Sequence, residues 1–137
     1  MPTNVSPKTA STLAKIFGLL GQPNRIYILL VIAREEACVC HIEAVLGVRQ
    51  ATISQHLMIL RDAGLVITHR DGRNIFYRLA NPELFDAICQ VAAATGIADQ
   101  DLDRLSRKPV PNCPCPYCNP GMDPNLTCNK IRSISKP

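Results

Sequence analysis

Between Val48 and Val66, Ile53, Leu57 and Leu60 recur at i, i+4 and i+7, one face of a helix that must turn inward. The opposite face carries Ala51, Ser54, Gln55 and Met58, small or amide-bearing side chains rather than the Glu/Lys mixture of a merely solvated helix. Such a face slides into a nucleic-acid groove. Gly47 and Gly64 bracket the helix, which the pattern places over Arg49 to Ala63, and Cys38 to Leu46 reads as a short helix before it. After it, Leu65 to His69 and Ile75 to Leu79 flank Arg70-Asp71-Gly72-Arg73-Asn74, and Asp-Gly between β-formers signals a hairpin. A helix pair followed by a hairpin wing is therefore expected.

The flanking chain fits one mainly α domain. Ser6-Pro7 starts a first helix with Leu13, Ile16, Phe17 and Leu20 as its stripe, and Gly21 ends it. Pro23 opens a second helix whose run from Ile26 to Ile32 is apolar nearly all round, which marks the buried centre. Asn81-Pro82-Glu83 caps a last helix with Leu84, Phe85, Ile88, Val91 and Ala92 on one side, wider than a small winged domain needs, so a dimer is expected there. From Pro109 to Pro137 the chain turns to Pro, Asn and Cys without period, a tail with no core of its own.

Charge and cysteine usage narrow the function. The net charge of +4 is modest, but Arg49, Arg61, Arg70, Arg73 and Arg78 cluster in the helix pair and wing, where phosphates would sit. In a helix-turn-helix the second helix places its N-terminal residues at base edges, so Gln50 and Gln55 are suited to adenine and Ser54 to either base type. Arg49, Ala51, Thr52 and Met58 complete the expected groove face, and Arg70 and Arg73 on the wing hold phosphates. The longest apolar run, Ile26 to Ala33, is far short of the roughly 20 residues that span a bilayer, and no basic-then-apolar signal pattern opens the chain. A cytoplasmic protein without a membrane partner is expected, in which seven cysteines, an odd number, stay thiols available to metal.

The order of five helices and one hairpin, with Arg49-Gln50-Ala51-Thr52-Ile53-Ser54-Gln55-His56-Leu57 and Leu60-Arg61-Asp62-Ala63-Gly64-Leu65-Val66, resembles the ArsR/SmtB family of bacterial metal-sensing repressors over residues 8–100. The resemblance implies a winged helix-turn-helix homodimer, joined by its first and last helices, that binds double-stranded operator DNA when metal-free and releases it when metal binds. Glu36-Ala37-Cys38-Val39-Cys40-His41-Ile42 is similar to the family's third-helix thiol box, with alanine and histidine as departures. In a regular helix residues two apart point about 200° from each other, so ion capture by Cys38 and Cys40 is expected to distort that turn.

The place where arsenic sensors of this type often carry a third cysteine is Glu43 here, and no cysteine precedes Cys38. A third thiolate must come from elsewhere, and the tail offers Cys113, Cys115 and Cys118, with Cys128 more distant. About six extended residues separate Arg107 from Cys113, a reach of about 20 Å. All three histidines precede the last helix, so the imidazole-carboxylate zinc site of other family members cannot form there. His41 is expected at the surface, His56 as structural, and Cys89 as a small packed hydrophobe.

Soft thiolates select thiophilic ions, and three of them suit pyramidal arsenite; Cd(II), Pb(II) and Zn(II) are the alternatives. Two further readings remain open: a structural zinc site of the tail cysteines, or a metal-buffering module that leaves DNA affinity unchanged. An enzyme is not expected, since Cys115-Pro116-Tyr117-Cys118, the only thiol-redox candidate, lacks the strand-helix setting that chemistry requires.

Overall fold

The computed structural model describes residues 5–97, 102 and 104–106. Five helices and a two-stranded antiparallel hairpin follow one another as α1 (Pro7–Leu20), α2 (Pro23–Val31), α3 (Val39–Leu46), α4 (Gln50–Asp62), β1 (Val66–Asp71), β2 (Asn74–Leu79) and α5 (Glu83–Ala94). This is the winged helix-turn-helix order that the helical and hairpin patterns predict. No helix of the described residues is long and apolar enough to cross a membrane.

Local chemistry sets the boundaries. Ser6 caps α1, its Oγ accepting from the Lys8 amide at 3.1 Å, and Pro7 takes the first helical position, where a missing N–H costs nothing. Asn81 does the same for α5 through Oδ1 and the Glu83 amide. At the end of α4, Gly64 adopts φ 79°, and the amides of Gly64 and Leu65 bond back to the carbonyls of Arg61 and Leu60. A left-handed residue closing two orphan carbonyls in this way is the glycine stop that turns the chain into β1. The wing register pairs Val66 with Leu79 and Asp71 with Asn74, so the two loop residues are Gly72-Arg73, one step beyond the Asp-Gly pair that signals the turn. Gly72 supplies the positive φ of 61° that such a loop requires.

The core gathers Ile28, Leu29, Val31 and Ile32 of the second-helix run, Ile42 of α3, the α4 stripe Ile53, Leu57 and Leu60, Val66 and Leu79 of the wing, and Phe85 of α5. Ile53, Leu57 and Leu60 are at most 1% exposed. Burial of each such side chain is worth about 1.5–3 kcal/mol, so turning α4 by one residue would forfeit all three and the outward face is locked. Tyr27 stays half exposed, which limits the fully buried part of the second helix to its C-terminal half. After α5, Leu102 and Leu105 pack on the same core, and Ser106 Oγ donates to the Leu30 carbonyl at 2.6 Å. The chain therefore leaves for its tail from a fixed point beside α2.

Arg25 ties three helices together: its Nη1 donates to the Leu19 carbonyl at the end of α1 and its Nε to His56 Nδ1 on α4, both at 3.2 Å. Burial, then the Arg25 charge, lowers the His56 pKa below its ordinary value. Because the folded chain refuses a proton that the unfolded chain accepts near pH 6.5, this contribution is complete above that value and is lost as the pH falls. Chemical denaturation at about pH 7.5 and 5.5 should show His56→Gln less acid-sensitive than the parent; equal losses in both proteins would remove His56 from the account.

Candidate nucleic-acid interface and thiol site

The locked register of α4 presents Ala51, Gln55, Met58 and the capping residue Arg49 to solvent, with Gln50, Thr52 and Ser54 half-buried along the same side. The first turn of α4 holds no acidic residue, so no carboxylate there opposes the approach of a phosphate to the positive end of the helix dipole. Arg70 and Arg73 are exposed on the wing. The residues expected to read bases thus sit on one helix face, and the expected phosphate holders stand on the adjacent hairpin.

The thiol box departs from its expected form. Cys38 lies outside α3, in extended backbone at φ −86°, ψ 167°, as the residue that caps the helix, while Cys40 sits in its first turn. The divergence of about 200° that a regular helix would impose does not apply, because only one of the two residues is helical. Both cysteines are buried, neither is in a disulfide, and both residues line one cleft of about 200 Å³. Capture of one ion by the pair consequently needs no broken helix turn.

The other walls of that cleft are Gln50 and Ser54 of α4 and Arg73, Asn74, Ile75 and Tyr77 of the wing. Thiols and candidate DNA contacts share a single depression. Its geometry depends on a long-range pair that periodicity does not reveal: the Ala37 amide donates to the Tyr77 carbonyl at 3.0 Å and the Tyr77 amide to the Ala37 carbonyl at 2.8 Å. Glu36 adds a side-chain contact, Oε2 lying 3.1 Å from Nδ1 of His69, whose ring stacks on Phe76 across the hairpin. Tyr77, Asn74 and Ile75 were not expected at the thiol site, and only the pairing of residue 37 with β2 brings them there.

His41 also corrects the sequence reading. It is 1% exposed rather than at the surface, because α3 packs against α2, α4 and β2 and is covered over a wider arc than a helix resting on a single layer. Cys89 is half-buried against the core, as its place on the apolar stripe predicts, and does not line the thiol cleft. Cys113, Cys115, Cys118 and Cys128 lie outside the described residues. Among the described residues no group of three or more His, Cys, Asp or Glu is assembled to hold a metal ion.

A second depression is wholly different in character. Ile16, Phe17 and Leu20 of α1, Ile26 of α2, and Leu84, Ala87, Ile88 and Val91 of α5 form an apolar cleft of about 330 Å³. No residue of α1 is buried, and Phe17 and Val91 are more than half exposed. The stripes of the first and last helices are thus left on one open apolar surface.

Comparison with known proteins gives these features a setting. Residues 22–68 match the model of the arsR family of bacterial regulatory proteins. A transcriptional repressor SmtB homolog of Synechocystis is 35% identical over 66% of this chain and 69% of its own. The arsenic resistance transcriptional regulator ArsR1 of Pseudomonas putida is 36% identical, over 66% of this chain and 70% of its own. Among solved structures, a homodimeric winged helix-turn-helix DNA-binding domain of Mycobacterium bovis superposes with a TM-score of 0.57 at 28% identity, covering 72% of this chain and 95% of that one.

Proposed function

Since the chain belongs to the ArsR/SmtB family of winged helix-turn-helix transcriptional regulators, DNA-binding proteins rather than enzymes, we propose that it is a repressor whose hold on operator DNA is governed by a thiophilic ion at Cys38 and Cys40. The observation that supports this reading is the shared cleft, which Cys38 and Cys40 line together with Gln50 and Ser54 of the reader helix and Arg73 of the wing. Two thiolates leave an arsenite ion one ligand short, and the tail that follows the anchored Ser106 offers Cys113, Cys115 or Cys118, the six residues from Arg107 to Cys113 alone having an extended reach of about 20 Å. Arsenite is the ion placed first, since three soft donors suit its pyramidal geometry; Cd(II), Pb(II) and Zn(II) use the same thiolates with a fourth ligand. The repressor works as a homodimer in the cytoplasm, closing its apolar α1 and α5 surface against a second copy.

On DNA, Gln50, Ser54 and Gln55 meet base edges, Arg49, Ala51, Thr52 and Met58 line the groove, and Arg70 and Arg73 hold phosphates. Fluorescence anisotropy of the metal-free protein on a pseudo-palindromic duplex should show strong salt dependence. Arg70→Ala or Arg73→Ala should weaken binding about equally on every sequence, whereas Gln55→Ala should cost about 1–3 kcal/mol of discrimination at one base pair. Affinity indifferent to both sequence and salt would end the repressor reading, and three variants with identical profiles would end the division of labour.

A further inference from the structure

We infer that Ala37 is a positioning residue for the wing, and that an ion at the thiol pair acts on DNA by shifting the wing through its backbone bridge to Tyr77; this rests on the ion-responsive reading above. Ala37 is the residue before Cys38, is buried, and exchanges both of its backbone hydrogen bonds with Tyr77 on the outer edge of β2. Glu36 reaches across to His69 on β1, so both wing strands are tied to the peptide that leads into the thiol box. On its other side Cys38 is held by α3, where its carbonyl accepts from the Ile42 amide at 3.1 Å.

Cys38 is therefore a joint between a helix and a hairpin. An ion that draws its sulfur toward Cys40 pulls on both α3, which carries the buried Cys40, His41 and Ile42, and the extended peptide at Ala37. The helix is seated in a close-packed core that resists displacement, whereas the peptide is held to β2 by a single bridge. Motion goes to the bridge. It passes along β2 to Asn74 and Arg73, which line the same cleft at the wing tip, and takes Arg73 away from its phosphate. The exposed Glu36 and His69 pair contributes little by itself, since surface ion pairs are weak, so the backbone bridge is the working connection.

Amide hydrogen exchange on the full-length chain, with arsenite as the probe, tests this. Arsenite should speed exchange at the Ala37 and Tyr77 amides, and the slope of log affinity against log salt for operator binding should become shallower by about 0.9 for each wing arginine withdrawn. Ala37→Pro, which removes the donor to Tyr77, should shrink the arsenite-induced loss of operator affinity by roughly 2- to 10-fold; if that variant does not fold, the exchange experiment on the natural chain decides. Release of operator with both amides and the salt slope unchanged would overturn the wing route and leave ion sensing standing. If arsenite, Cd(II), Pb(II) and Zn(II) all fail to release operator, the ion-responsive reading fails and the wing route with it.

Discussion

Cys38→Ser or Cys40→Ser protein is expected to keep operator affinity within about twofold of the parent and to lose ion-induced release altogether. The loss is large because coupling of this type amounts to about 1–3 kcal/mol, or roughly 5- to 150-fold in operator affinity, and every part of it passes through the thiols. Serine is close in size to cysteine and leaves the Gln50, Ser54 and Arg73 walls of the cleft in place. A buried hydroxyl left without a partner costs about 1–3 kcal/mol of stability, so circular dichroism must accompany the anisotropy titration. Release by arsenite at an unchanged concentration from either folded variant would remove the thiol box from the mechanism. Truncation before Cys113 belongs in the same titration: it should greatly reduce release if the tail supplies the third thiolate, and leave it unchanged if the tail cysteines close a separate zinc site.

Phe17→Glu is expected to separate the dimer without unfolding the subunit. Phe17 is 62% exposed in the single chain, so the substitution lies within the small range of surface changes, about 0.5 kcal/mol either way. In the proposed dimer the same position would bury an unpaired carboxylate in each half of an apolar contact. Losing the second half-site forfeits an effective concentration in the millimolar range, so operator affinity should fall by roughly 10²- to 10⁴-fold. Sedimentation velocity reads the first consequence and anisotropy the second. A variant that remains dimeric would place the interface elsewhere than on α1 and α5.

How much could be read in advance depended on whether the cause was local. The α4 face, the Ser6 and Asn81 caps, the Gly64 stop and the hairpin all follow from residues a few positions apart, and each stands within a residue or two of its expected place. The apolar stripes of the first and last helices likewise foretold a surface that one chain leaves open. Cys38 stands outside the helix that periodicity predicts because the Ala37 backbone just before it pairs with Tyr77, on a strand that follows two helices later, and no periodicity carries that pairing. His41 was misplaced for a related reason, since burial on three sides depends on how α2, α4 and β2 converge on α3. The shared cleft is a product of those two contacts, which is why the thiol box was visible as chemistry but not as a neighbour of the wing.

In the proposed mechanism the thiol pair and the DNA face belong to one coupled equilibrium. The most direct measurement is a thermodynamic cycle on the full-length protein, with arsenite affinity determined in the absence and presence of operator duplex, and operator affinity in the absence and presence of saturating arsenite. Linkage requires the two ratios to be equal, and the predicted value lies between roughly 5 and 150, each ligand weakening the other. Arsenite binding that leaves operator affinity unchanged, with both ratios at one, would contradict the account and mark the cysteines as a metal buffer.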